Sequence, residues 1–156
     1  HVKKGLKSWE VPGPPDTAVE VNQVGCIFEP RISVARVGQE VVFINSDALT
    51  HNVNVRGKKN GTFNRSMTSA GQRVSRVFRK PEIMMSTSCD VHPWMVAKVG
   101  VVAHPFFQLT GADGSYSLSG LPPGDYVIEA WHEVHGTKTQ KVTLAVSGAV
   151  TLDFSF

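Results

Sequence analysis

Hydrophobic spacing constrains this chain most. Apolar residues almost nowhere recur at helical spacing, whereas short runs rich in Val, Ile, Thr and Phe, broken by turn residues, recur from end to end. These runs predict strands over 18–24, 31–37, 40–45, 51–56, 72–78, 83–88 and 97–103, then over 115–118, 125–132, 137–146 and 149–156. VPGPP, VGQ, RGKKNG, GADG and LPPGD supply the breaks. Many short strands at this spacing make an antiparallel sandwich or barrel, so the expected class is all-β.

The 156 residues, 41% of them apolar, suffice for one ordinary core or two small ones. Composition changes after Val102, where Gly/Pro turns around tyrosines begin ("DGSYSLSGLPPGDYVIEAWHE"). A boundary near His104 gives domains over 17–103 and 104–156, the second short enough to call for completion by residues 1–16. No apolar run approaches the ~18 residues of a membrane span. The first residues (HVKKGLKSWE) lack the apolar core of a secretion signal, so an exported chain would be read here without its leader.

The formal charge is only +3, yet its distribution is uneven. Between Asp47 and Glu82 there is no acid, while Arg56, Lys58, Lys59, Arg65, Arg73, Arg76, Arg79 and Lys80 all fall there. Such a run is either a solvated face or a docking surface that speeds association with an acidic partner. No helical or aromatic-interleaved basic motif accompanies it, so nucleic acid is not an expected partner.

The stretch "CDVHPWM" at 89–95 places a thiol, an imidazole and a thioether on one loop. Two readings compete: three metal ligands, or a turn whose Cys89 forms a disulfide with Cys26 in an exported protein. Thiolate, thioether and imidazoles together are a preference set for copper in both common oxidation states. Zinc accepts two His and a Cys as well, and the weak thioether favours copper over it. The second imidazole has to come from elsewhere. His51, in "NSDALTHNVNV" directly after the strand Val41–Ile44, is the best placed.

Taken together, "GCIFEPRISVARVGQEVVFIN" at 25–45, "FINSDALTHNV" at 43–53 and "CDVHPWMVAKVGVV" at 89–102 resemble the cupredoxins, the plastocyanin and amicyanin group of type 1 blue copper proteins. The resemblance covers residues 17–103 and implies a Greek-key β-sandwich. It further implies one copper per chain, with His51, Cys89 and His92 as equatorial ligands and Met95 as a long axial one. Asn52 would brace the loop around the cysteine sulfur, and Pro93 and Trp94 would flank His92 in an apolar rim through which electrons reach a docked partner. The implied function is a one-electron carrier, periplasmic or otherwise exported. Its partners would be cytochromes or copper or haem oxidoreductases, with no catalytic acid or base needed and self-association left open. Cys26 would fall near the copper end as a small hydrophobe, as half of an intermolecular pair, or as part of a second site beside the first.

"TGADGSYSLSGLPPGDYVIEAWHE" is similar to the carboxypeptidase regulatory-like domain, an Ig-like sandwich that is structural or adhesive. His104, His132, Glu133 and His135 form a second candidate cluster. One reading gives it a second copper and makes the chain an oxidoreductase. The other packs Trp131 and His132 against His104–Phe107, with the imidazoles hydrogen-bonded to neighbours. Copper carriage or sensing is a third alternative.

Overall fold

Strand pairing follows the apolar runs. The computed structural model describes residues 1–7 and 9–156; Ser8, inside the segment 1–16, lies outside the described residues. The strands are β1 (Val2–Lys4), β2 (Val19–Val24), β3 (Ile27–Glu29), β4 (Ile32–Arg36), β5 (Glu40–Asn45), β6 (His51–Gly57), β7 (Gly61–Met67), β8 (Arg73–Val77), β9 (Glu82–Ser88), β10 (Val96–Val102), β11 (Gly124–His132) and β12 (Gly136–Leu144). No helix occurs among the described residues, and the class is all-β. The chain divides into two compact units, Pro12–Pro105 and a discontinuous one made of His1–Val11 and Phe106–Phe156.

The larger unit is a cupredoxin-like sandwich of two sheets, ordered β4-β10-β9-β6-β7 and β3-β2-β5-β8. The β4/β10 and β2/β5 pairs are parallel and the others antiparallel. Val21, Val41 and Phe43 from one sheet meet Val53, Val55, Phe63, Met85, Val99 and Val101 from the other in one buried cluster. The rings of Phe43 and Phe63 lie 6.0 Å apart across it. Each such side chain contributes about 1.5–3 kcal/mol on burial. Alternation along β6 sends His51, Val53 and Val55 to one face and Asn52 and Asn54 to the other. That parity places a histidine and an asparagine side by side at the end of a rigid central strand.

The turn from β6 to β7 is built around an acid. Glu82 accepts hydrogen bonds from the backbone N–H groups of Lys58, Lys59 and Asn60 and from the Asn60 side chain. Burial alone would raise its pKa, but these donors outweigh that and hold the carboxyl below its ordinary 4.5. A depressed folded-state pKa contributes stability that is present above the unfolded value and lost as pH falls through the folded one. Glu82→Gln is therefore expected to lower Tm at pH 6–7, and the gap from wild type should close below about pH 4.5 in thermal melts run against pH. A gap that is constant with pH would refute this account.

Five segments differ from the strand expectation. β1, β3 and β7 were not among the expected strands, although residues 1–16 were expected to complete the second domain. β3 is three residues long, and β7 is an edge strand whose sequence GTFNRSM buries only Phe63 and Met67. Conversely, 115–118 and 149–156 are not strands. Side chains hold the backbone of 149–156 instead of a ladder: Tyr116 Oη donates to the Leu152 carbonyl at 2.6 Å and Gln140 Nε2 to the Asp153 carbonyl at 2.6 Å.

The smaller unit carries one antiparallel sheet, β1-β11-β12, in which Val2 pairs with Ile128. Val2, Phe106, Tyr126 and Ile128 form its buried centre, ringed by Leu6, Trp9, Leu118, Leu121, Leu152 and Phe154.

Candidate metal centre

Two elements deliver the site. β6 begins with His51, fully buried, while the loop from β9 to β10 carries buried Cys89 and half-buried His92. One donor atom from each of the three lies within 4.8 Å of the others. The Nδ1 atoms of His51 and His92 are 3.0 Å apart, and Cys89 Sγ is 3.8 Å from His92 Nδ1. Two imidazole nitrogens and one thiol sulfur converging at the end of a packed sandwich can hold a metal ion, and their chemistry suits a borderline-soft one. Met95 closes the same loop. Its N–H donates to the His92 carbonyl at 3.0 Å, its carbonyl accepts from Cys89 N–H at 3.1 Å, and its side chain is buried.

The surroundings fix these donors. Asp47 Oδ2 lies 2.8 Å from His51 Nε2, which holds that nitrogen as the N–H and leaves Nδ1 free to coordinate. Asp47 itself accepts from Cys26 N–H at 2.9 Å and Gly25 N–H at 2.8 Å. The Cys26 amide is the largest influence holding its carboxyl below the usual aspartate value, with the His51 and Gly25 bonds adding to it against a burial penalty. Asn52 N–H donates to Cys89 Sγ at 3.5 Å, and the Asn52 side chain accepts from Asp90 N–H.

Asp90, which the sequence did not single out, is the hub on the other face of β6. Its carboxylate accepts from Asn52 Nδ2 (2.9 Å), Asn54 Nδ2 (2.9 Å), Asn64 Nδ2 (2.9 Å) and Arg56 (3.4 Å). The Asn54 and Asn64 bonds do most to hold its carboxyl below the usual range. The three asparagines come from β6 and β7, so the residue after Cys89 is pinned to two strands at once. The only hint in the sequence was the N-x-N spacing at 52–54, which puts two amides on one face of a strand.

The remaining candidates are placed as follows. Pro93 and Trp94 are exposed, with the Trp94 ring 5.2 Å from that of His92 and its Nε1 donating to the Cys26 carbonyl at 3.1 Å. Cys26 and Cys89 are both free thiols, so the disulfide reading is not what the structure shows; Cys89 is engaged with the histidines and Cys26 packs half-buried against the core. His132 and His135 stack at 4.6 Å on the β11–β12 turn, where His132 Nδ1 accepts from the N–H groups of Val134 and His135. Phe156 lies 5.3 Å from His132. Among the described residues no third donor joins them, and neither His104 nor Glu133 falls in a metal-capable group.

Residues 97–156 match the family profile of the carboxypeptidase regulatory-like domain, a match that begins inside β10. Among solved structures, the chain is similar to the copper-containing nitrite reductase of Thermus scotoductus, with 26% identity over 55% of this chain and a TM-score of 0.51. It spans only 22% of that enzyme. A purple cupredoxin from Nitrosopumilus maritimus matches at 22% identity and TM-score 0.46, covering 53% of this chain and 98% of its own. A reduced tryptophan-to-tyrosine mutant of amicyanin matches at 28% identity and TM-score 0.49, covering 57% of this chain and 91% of its own. No curated protein matches the sequence.

Proposed function

We propose that the larger unit binds one copper ion through His51, Cys89 and His92, with Met95 as a weak axial ligand, and serves as an exported, periplasmic one-electron carrier. The observation that carries this reading is the convergence of two imidazole nitrogens and one buried thiol within 4.8 Å. When bound, copper supplies one-electron cycling between two oxidation states. The protein's part is to keep the donors still. Asp47 orients His51, Asn52 N–H caps the sulfur, and the Asp90 cluster holds the loop, so little need move when charge changes.

Electrons would pass at the rim around His92. Ile27 at the start of β3, and Leu49, Val91 and Trp94 on the loops that carry Asp47, Cys89 and His92, are 48%, 53%, 52% and 63% exposed, an apolar edge for a transient redox partner. The basic run serves that rim less directly than its sequence position suggests. Lys59, Arg76, Arg79 and Lys80 line a groove of about 520 Å³ at the Gly57/Gly61 end of β6 and β7, whereas His51 pairs with Met67 at the other. Seven residues of strand separate the two ends, about 20 Å. Its effect on a partner would be long-range orientation and not contact with the rim.

Purified protein given one equivalent of Cu(II) is expected to show an intense visible charge-transfer band from the thiolate. His132→Ala should leave that band unchanged. A colourless copper complex refutes the reading, and loss of the band in His132→Ala would move the centre to the β11–β12 turn.

A further inference from the structure

The hairpin turn between β2 and β3 carries a side chain that turn chemistry does not call for. Val24 pairs with Ile27, leaving Gly25 and Cys26 as the two central residues. Both have positive φ, 61° and 58°, as in a type I′ turn, whose second central place glycine fills most easily. Cys26 instead holds a free, half-buried thiol there. Its Sγ, a carboxylate oxygen of Asp47 and a ring nitrogen of His51 form a second group with all donor atoms within 4.8 Å of one another.

His51 therefore belongs to two donor sets. Its Nδ1 is 3.0 Å from His92 Nδ1, and its Nε2 is 2.8 Å from Asp47 Oδ2. The two nitrogens of an imidazole point outward from opposite sides of a rigid ring, so the two sets do not compete for one lone pair. Asp47 is oriented by the turn itself, through the N–H groups of Gly25 and Cys26. Trp94 Nε1 ties the Cys26 carbonyl to the loop that carries Cys89 and His92.

We propose that Cys26, Asp47 and the Nε2 side of His51 form a second metal site, for a thiophilic divalent cation of the zinc class, joined to the first centre through the His51 ring. A thiolate, a carboxylate and an imidazole nitrogen are a complete protein set for zinc with one coordination place left to solvent. Occupation sends the Cys26 thiol proton and the His51 Nε2 proton to water. The inference takes the copper reading of the first centre as its starting point, and the two fail differently.

The test adds Zn²⁺ to full-length chain already carrying one equivalent of copper. The expected result is one further equivalent bound, with the visible band retained but shifted. Cys26→Gly, which suits the backbone, should keep the copper band and lose zinc affinity by more than about 100-fold. Undiminished zinc binding in Cys26→Gly, no zinc uptake by the wild type, or displacement of the copper would each overturn the proposal. Should Cys26→Gly fold poorly, alkylation of Cys26 in the copper-loaded wild type gives the same answer: zinc should protect the thiol, and an unchanged rate refutes the site. In Cys89→Ser, where the first donor set is broken, zinc should still bind one equivalent and protect Cys26. That result together with a colourless wild-type copper complex would refute the copper reading alone.

Discussion

Cys89→Ser is expected to abolish tight copper binding and the visible band together, while leaving the fold in place. Cys89 Sγ is the only sulfur among the three converged donors, and a hydroxyl is both harder and far less acidic, so the remaining set is two imidazoles. The side chain is 2% exposed, and serine fits the same space, with its oxygen able to accept the Asn52 N–H that now points at sulfur. Stability should report the loss as clearly as colour. A ligand present at 100 times its Kd stabilises by about 2.7 kcal/mol, so copper should raise the Tm of wild type and leave that of Cys89→Ser where it was. A variant that keeps its band would place the metal elsewhere.

Asp90→Ala should have the largest effect of any substitution outside the donor set. Both hydrogen bonds recorded for Asn54 Nδ2 go to Asp90, and Asn54 and Asn52 are 6% and 7% exposed. Removing the carboxylate leaves the buried Asn54 amide without a partner, at a cost of about 1–3 kcal/mol, while the Asn52 amide keeps its bond to Asn64 Oδ1 at 2.8 Å. The Asp90 side chain is itself 43% exposed, and water can replace part of what is lost. About 1–2 kcal/mol is then the expected loss, a fall in Tm of roughly 5–10 °C for a unit of this size. Copper affinity should fall about 10- to 100-fold, because the residue after Cys89 is no longer anchored. The carboxyl titrates below its ordinary 3.8 in the folded chain, so the deficit should be full above that pH and shrink as pH falls through the lower folded value. Unchanged melting and copper affinity at neutral pH would show that the loop is held by its backbone bonds alone.

The convergence of His51, Cys89 and His92 was readable in the sequence because it needs only one short loop and one strand end. Cys89, His92 and Met95 share one turn, and His51 opens a strand whose apolar alternation is plain. What escaped was set by pairing between distant strands. Asn64 reaches Asp90 only because β7 lies beside β6, and β7 was invisible since its run of Thr, Asn, Arg and Ser reads as a continuation of the preceding turn. The opposite error, strands expected over 149–156, came from apolar alternation that is real. Leu152 and Phe154 pack into the smaller core, but the backbone beside them is met by side chains of β12 and not by its ladder. Cys26 shows a third limit: its closeness to His51 depends on Asp47 folding back onto the β2–β3 turn, a contact between residues 21 apart.

The pairing of Val2 with Ile128 sets an order of events for a chain made from its N-terminus. The first strand has no partner until β11 has been synthesised, by which time every residue of Pro12–Pro105 is already available. The larger sandwich can complete its pairings with β1 waiting, and once formed it brings the two ends of its own sequence to fixed positions. What the smaller sheet then closes is a rigid insert and not a flexible loop of more than ninety residues, whose closure entropy would otherwise oppose it.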